Sequence, residues 1–178
     1  MNNILRNVLM RRSVSQFEER PIRDEDLMEI LEEGKALSNA VNNQEWHFTI
    51  LQNRKLIKQL YDVHTEQSSA IPDIKEFLPI EAPLLLIISG RKDNKFVEDA
   101  ANMVFGSMML VADKYGIGSC WLAAMPKLFE TEAGKSVLDQ MSVPRGYSPL
   151  CVGAFGYKKT VVATSVLSTE DNIVNIIK

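Results

Sequence analysis

The sequence predicts a single α+β domain spanning 1–178. Helical patterns, in which apolar residues recur every three or four positions, alternate with apolar runs of strand length. The run from Pro83 to Ile88 is continuously apolar, which is typical of a strand covered on both faces. With 178 residues, 46% of them hydrophobic and 24% charged, the chain has the length and composition of one globular domain.

Charge and cysteine content argue against several classes of protein. The formal net charge is -3, from 20 basic and 23 acidic residues without a polybasic run, so neither nucleic acid nor an anionic membrane is an expected partner. No apolar stretch approaches the roughly 20 residues that cross a bilayer, and no secretory signal pattern is visible, so we expect a cytoplasmic protein. Cys120 and Cys151 lie in apolar runs and are expected to be buried thiols. With His47 and His64 outside any cluster, no metal site is predicted.

Two helices are predicted in the N-terminal part of the chain. Apolar spacing over 4–9 predicts a short helix that ends near Ser13. Asp24 is the candidate cap of a second helix, whose apolar face is formed by residues 27–31 together with Gly34. Acidic residues in its first turn complement the helix dipole.

A loop, two strands and a third helix are expected next. The polar stretch Ser38 to Glu45 is predicted to be a loop, and Trp46 to Leu51 a strand. Asn53 opens a helix, after which the pattern weakens from Thr65 to Ala82, the segment best suited to be mobile or a lid. The run Leu84 to Ile88 is expected to be a central strand.

The segment Ala100 to Tyr115 is apolar nearly all round and predicts a helix buried on every side. In so small a domain, a second subunit covering its outer face, with Met103 and Met108, would complete that burial, so a homodimer is expected. Strands are predicted at Ser119 to Leu122 and at Leu150 to Phe155, with a helix at about 130–141 between them. No repeat or linker divides the chain.

Two polar clusters are candidates for ligand binding. The first is 11–13 with Ser15, whose guanidinium groups suit phosphate, although a basic pair at a helix C-terminus also simply complements the helix dipole. The second is Asn39 with 42–44, whose amides could read the carbonyl and ring-nitrogen edge of a heterocycle or could merely form a turn. Taken singly, each cluster favours the structural explanation.

In order and spacing, these pieces resemble the nitroreductase family of FMN-dependent oxidoreductases. The family opens with Arg-Arg-Ser-x-Arg-x-Phe, close to R-R-S-V-S-Q-F from Arg11. Its Asn-Asn-Gln-Pro-Trp-His-Phe motif matches N-N-Q-E-W-H-F from Asn42 to Phe48 with one mismatch. A further match is V-P-R-G-Y-S-P-L-C-V-G-A-F-G-Y from Val143, and the resemblance covers nearly everything over 4–157.

The resemblance implies a fold and a reaction. The fold is three-layered, with a mostly antiparallel central sheet flanked by helices, in a dimer with a buried central helix. The reaction moves a hydride from NADH or NADPH to FMN and then to a nitroaromatic, quinone or other conjugated acceptor in a ping-pong cycle. The flavin carries the chemistry, so no catalytic side chain is predicted. Alternatives are a non-catalytic flavin-binding or redox-sensing protein, and a flavoenzyme for dehalogenation or ring fragmentation.

Carried over residue by residue, the resemblance also implies a cofactor site. Arg11 and Ser13 would hold the FMN phosphate and ribityl chain, the loop 39–44 would come from the partner subunit, and the amides of 122–124 would pass the flavin N5. Trp46 to Phe48 are assigned to packing. The implied cofactor-binding residues are Arg11, Arg12, Ser13, Ser15, Asn39, Asn42, Gln44, Leu122, Ala123, Ala124, Lys158 and Lys159.

The chain departs from the family pattern at three places. Ser15 replaces a basic residue of the opening motif, and Glu45 replaces a proline. Many members have an Arg or Lys that closes on the phosphate after the last strand, whereas here Lys158 and Lys159 lead into an atypical tail over 158–178. These lysines either partly replace the missing basic residue or are solvated at a strand end.

Overall fold

A four-stranded antiparallel sheet forms the middle layer of the protein, in the order β1-β2-β4-β3. Its strands are β1 (Trp46–Leu51), β2 (Leu84–Arg91), β3 (Ile117–Trp121) and β4 (Tyr147–Tyr157). The computed structural model describes residues 3–40, 46–67, 82–91, 95–160 and 177. The predicted α+β class and the antiparallel sheet are confirmed.

Helices cover both faces of this sheet. They are α1 (Asn3–Met10), α2 (Asp24–Ala40), α3 (Arg54–Gln67), α4 (Lys95–Lys114), α5 (Met125–Leu128) and α6 (Glu132–Leu138), with a 3-10 turn at Asp139–Met141. One face packs on α2 and α4, and the other on α3, α5 and α6. No described helix is both long and apolar enough to span a membrane.

Strand β2 lies inside the sheet, and its residues from Leu84 to Gly90 are buried. Leu84, Leu86 and Ile88 belong to the core beneath α2 and α4, while Leu85 and Ile87 belong to the opposite core. A strand with apolar residues at consecutive positions needs such cover, because successive side chains point to opposite faces. The predicted central strand is confirmed.

The first two helices end elsewhere than predicted. Helix α1 ends at Met10 and not near Ser13, because Ser13 pairs with Ser119 of β3 in an extended conformation. Helix α2 continues to Ala40, so the prediction of a loop from Ser38 is wrong for its first three residues. Apolar periodicity is absent there, but helical hydrogen bonding continues without it.

Later elements agree more closely. Helix α3 starts where predicted, because Asn53 Oδ1 accepts from the backbone N–H groups of Lys55 (3.0 Å) and Leu56 (3.3 Å). The helix expected at about 130–141 is α6 with the 3-10 turn, whereas the short α5 before it was not predicted. The lid prediction falls mostly on 68–81, outside the described residues, as does most of the tail, 161–176.

Helix α4 is not buried on every side within one chain. Met103 is 76% exposed, whereas Met108 is fully buried. A Cβ atom on Gly34 of α2 would lie 2.8 Å from Met108 Sδ, so this side chain fills the space above the glycine. The prediction that Met108 lies on the outer face is therefore wrong, because the close approach of α2 and α4 turns it inward.

Candidate active site

The opening basic segment lies along the free edge of β3. Ser13 forms a parallel bridge with Ser119, and Val14 N donates to Ser119 O at 3.0 Å. Phe17 then bridges to Lys158, just beyond β4. Three stretches that are far apart in sequence, 11–17, 119–124 and 157–159, therefore come together at one end of the sheet.

Arg11 presents an unsatisfied hydrogen-bond donor at this edge. Its Nη1 atom is buried and has no hydrogen-bond partner among the described residues. The guanidinium lies close enough to Cys120 to affect the pKa of that thiol, which burial raises and which Ser13, by a hydrogen bond, and Arg11, by its charge, act to lower. A buried cationic donor without an acceptor is costly, so the site is suited to an anion.

Arg12 has a different role from its neighbour. Its Nη1 atom donates to Leu9 O at 2.8 Å and to Arg11 O at 2.9 Å. These carbonyls lie at the C-terminal end of α1, where helical acceptors lack intrahelical partners and a positive charge is favourable. This guanidinium therefore caps α1, while Ser13 and Ser15 are exposed beside it.

The turn after β3 presents backbone amides next to the opening segment. Leu122 N donates to Val152 O at 2.9 Å, so this amide is used within the fold. Among the described residues, the amides of Ala123 and Ala124 donate no hydrogen bond. Of the three amides that the sequence singled out, two are thus available to a ligand.

The two lysines after β4 differ in their surroundings. Lys158 Nζ lies 2.6 Å from Asp113 Oδ1, an ion pair that joins the end of β4 to the last turn of α4. Lys159 has an exposed side chain, and its backbone N–H donates to Gln16 O at 3.1 Å. Asn39 lies in the last turn of α2, while Asn42 and Gln44 lie outside the described residues.

Sequence reasoning missed a polar cluster around the end of β4. Tyr157 donates through its hydroxyl to Asp26 Oδ2 (3.3 Å), and Arg23 forms two 2.8 Å hydrogen bonds to the same carboxylate. The hydrogen bond from Arg23 holds the pKa of Asp26 below its ordinary value. Arg20 stacks 3.6 Å above the Tyr157 ring. The three-residue spacing of Arg23 and Asp26 was visible in the sequence. The contact between Asp26 and Tyr157 was not, because the two residues lie 131 positions apart along the chain.

A cavity of about 330 Å³ lies beside the N-terminal half of α3. Its lining residues are Glu19, Arg54, Ile57, Lys58, Tyr61, Ala82 and Pro83, none of which is among the cofactor-binding residues predicted from the sequence. Arg54 donates to Glu19 O at 3.0 Å, and Lys58 pairs with Asp62 at 2.9 Å. Since its cations have protein partners, we place the candidate anion site at Arg11. The described residues contain no group of three potential metal ligands.

A sheet with helices on both faces and an unsatisfied arginine at one end of it defines a candidate anion-binding α+β protein. The sequence pattern of the Nitroreductase family matches residues 8–157. The chain belongs to this family, whose members are oxidoreductases.

Individual relatives agree with this assignment. A protein of Archaeoglobus fulgidus, provisionally named an NADH dehydrogenase/NAD(P)H nitroreductase, is 26% identical over 163 residues, which are 89% of this chain and 87% of that protein. The crystal structure of a nitroreductase with bound FMN from Bacteroides fragilis has a TM-score of 0.85 and 23% identity over 100% of both chains. A nitroreductase with bound FMN from Desulfitobacterium hafniense has a TM-score of 0.83 and 18% identity, again over 100% of both chains.

Proposed function

We propose that this protein is an FMN-dependent oxidoreductase that takes a hydride from NADH or NADPH and passes it to a nitroaromatic, a quinone or a similar conjugated acceptor in a ping-pong cycle. The observation that carries the proposal is the buried, unpartnered Nη1 of Arg11, which matches the terminal phosphate of FMN in charge and hydrogen bonding. Family membership and the FMN-bound structures of two similar folds support it.

The residues of the chain would bind and orient the cofactor. Arg11 and the hydroxyl of Ser13 would hold the phosphate end, with Arg12 keeping α1 in place behind them. The amides of Ala123 and Ala124 would donate to the edge of the flavin ring, where hydrogen bonds tune its reduction potential. When bound, FMN supplies the hydride acceptance and donation.

The proposal includes a homodimer. On α4, Met103 is 76% exposed, and α1, which packs against α4, exposes Val8 (51%), Leu9 (50%) and Met10 (46%). Apolar side chains exposed on two adjacent helices are typical of a surface that another chain covers. In this dimer, residues 39–44 of one subunit would contribute Asn39, Asn42 and Gln44 to the cofactor of the other.

The test begins with the absorption spectrum of the purified protein before and after addition of FMN or FAD. We expect stoichiometric FMN binding in preference to FAD, because the chain lacks a GxGxxG dinucleotide motif. Steady-state oxidation of NADH and NADPH with menadione or a nitroaromatic then tests the reaction. Tight FAD binding without FMN binding contradicts the cofactor assignment, and FMN binding without turnover favours the non-catalytic alternative.

A further inference from the structure

The ion pair between Asp113 and Lys158 lies at the end of β4, next to the opening segment. Lys158 Nζ lies 2.6 Å from Asp113 Oδ1, and the two side chains are only 33% and 17% exposed. A partly buried pair at this distance is stronger than an exposed one, because water screens it less. In this arrangement the ammonium charge of Lys158 is already neutralised.

The aliphatic stem of Lys158 lies directly beside the opening segment. A Cβ atom on Gly118 would meet Lys158 Cγ at 2.9 Å and Val14 Cγ2 at 2.7 Å, so both side chains pack over the same glycine. The backbone of Lys158 is bridged to Phe17. The stem of Lys158 therefore packs next to Val14. Rotation about the side-chain bonds beyond Cγ can still change the position of the ammonium group.

The backbone at the end of β4 cannot shift easily. Tyr157, directly before Lys158, is 8% exposed, donates to Asp26 and lies under the guanidinium of Arg20. Any change in the direction of Lys158 must therefore come from side-chain rotation. The carboxylate of Asp113 holds the ammonium of Lys158 on the α4 side.

We propose that Asp113 is an affinity-determining residue for the cofactor phosphate, because it withholds Lys158 from it. The inference rests on the proposed function. While Asp113 holds Lys158, the phosphate meets the unpaired donor of Arg11 but not the ammonium of Lys158. Removing the carboxylate releases the lysine toward the opening segment and also removes a negative charge from the neighbourhood of the phosphate.

The experiment compares FMN with riboflavin, which lacks the phosphate, by titration of flavin fluorescence. The variants are Asp113→Asn, Lys158→Met and the double variant, with Asp62→Asn as the matched control, because it breaks an exposed aspartate–lysine pair on α3 with the same change in charge. We expect Asp113→Asn to tighten FMN binding about three- to tenfold, the range between exposed and hydrogen-bonded charge pairs. Riboflavin affinity should not change.

The gain should vanish in the double variant. Lys158→Met alone should weaken FMN binding but not riboflavin binding, because it leaves the carboxylate of Asp113 unpaired in the neighbourhood of the phosphate. The gain should also shrink as salt is raised, because it is electrostatic. An unchanged FMN dissociation constant in Asp113→Asn, an equal gain for riboflavin, or a gain that survives in the double variant each overturns the inference. FMN binding by the parent leaves the proposed function standing in all three cases.

A measurement on the apo protein tests whether Asp113 and Lys158 interact at all, independently of flavin binding. The apo protein should show a thermodynamic coupling between Asp113 and Lys158 in a double-mutant cycle of unfolding. No coupling overturns the inference whatever the flavin titrations show. If neither the parent nor any variant binds FMN, the proposed function itself is wrong and this inference fails with it.

Discussion

Arg11 carries a buried guanidinium nitrogen with no acceptor among the described residues. An unsatisfied buried donor raises the free energy of the folded protein, and a ligand that accepts its hydrogen bond would remove this penalty. We predict that Arg11→Ala weakens FMN binding by about 1.5 to 3 kcal/mol, the usual contribution of a hydrogen bond to a charged group. The apo protein should not lose stability, since the variant also removes an unsatisfied buried donor. Isothermal titration and thermal unfolding measure the two effects.

Arg12→Ala is the matched control for Arg11. It removes the hydrogen bonds to Leu9 O and Arg11 O, so we expect a loss of apo stability. An unchanged FMN dissociation constant in Arg11→Ala would mean that the phosphate binds elsewhere.

Asp26 makes stability depend on pH at the acid end. The hydrogen bond from Arg23 lowers its pKa in the folded protein from the ordinary value of 3.8. The stabilisation is therefore fully present above that ordinary value and is lost as the pH falls through the lower folded pKa. We predict that Asp26→Asn lowers the melting temperature at neutral pH and flattens its decline in acid, as measured by thermal unfolding across pH. Asp62→Asn, at an exposed carboxylate, should leave the acid decline as in the parent.

At the scale of elements, packing between α4 and the sheet depends on one glycine. A Cβ atom on Gly153 of β4 would lie 1.9 Å from Phe105 Cζ, and the Phe105 ring packs edge-on against Phe155 with 5.6 Å between centroids. We predict that Gly153→Ala destabilises the protein by about 1 to 3 kcal/mol or more, because the ring must move out of a filled core.

Denaturant unfolding measures this effect, and a second variant tests its cause. Phe105→Leu removes the edge of the ring that the new methyl group would contact. Combined with Gly153→Ala, it should cost less than the sum of the two single changes. Additive losses would show that the glycine is required for a reason other than the contact with Phe105.

The elements themselves followed closely from local pattern. Strand β1 was predicted with its bounds and α3 with its start, because alternation and an asparagine cap act within a few residues. Helix α3 continues to Gln67, past Thr65, where the apolar pattern weakens. The end of α2 at Ala40 was not predicted, because its last turn lacks an apolar periodicity. The inward direction of Met108 was not predicted either, because it depends on Gly34 in another helix.

At the scale of the whole molecule, the proposed dimer predicts that subunit association and cofactor binding fail together. Met103→Glu places a charge on the exposed apolar face of α4, where burial against a second chain would cost several kcal/mol. We expect monomers in sedimentation velocity and loss of stoichiometric FMN. Met28→Glu, at a methionine of α2 that is 49% exposed, is the control and should leave both unchanged. A folded Met103→Glu monomer that retains full FMN contradicts the shared site.

The sequence by itself determined the family, the α+β class, the central strand and the arginine pair, because these are expressed in contiguous motifs and in short-range periodicity. Only the tertiary structure decided which members of those motifs have partners. In the structure, Arg11 has an unpartnered donor whereas Arg12 donates to backbone carbonyls. The amide of Leu122 donates to Val152, and Lys158 pairs with Asp113, which lies 45 residues away. The physical reason is that hydrogen bonds and ion pairs are satisfied by whatever group packing brings within reach, and packing joins segments whose separation along the chain carries no trace of their contact.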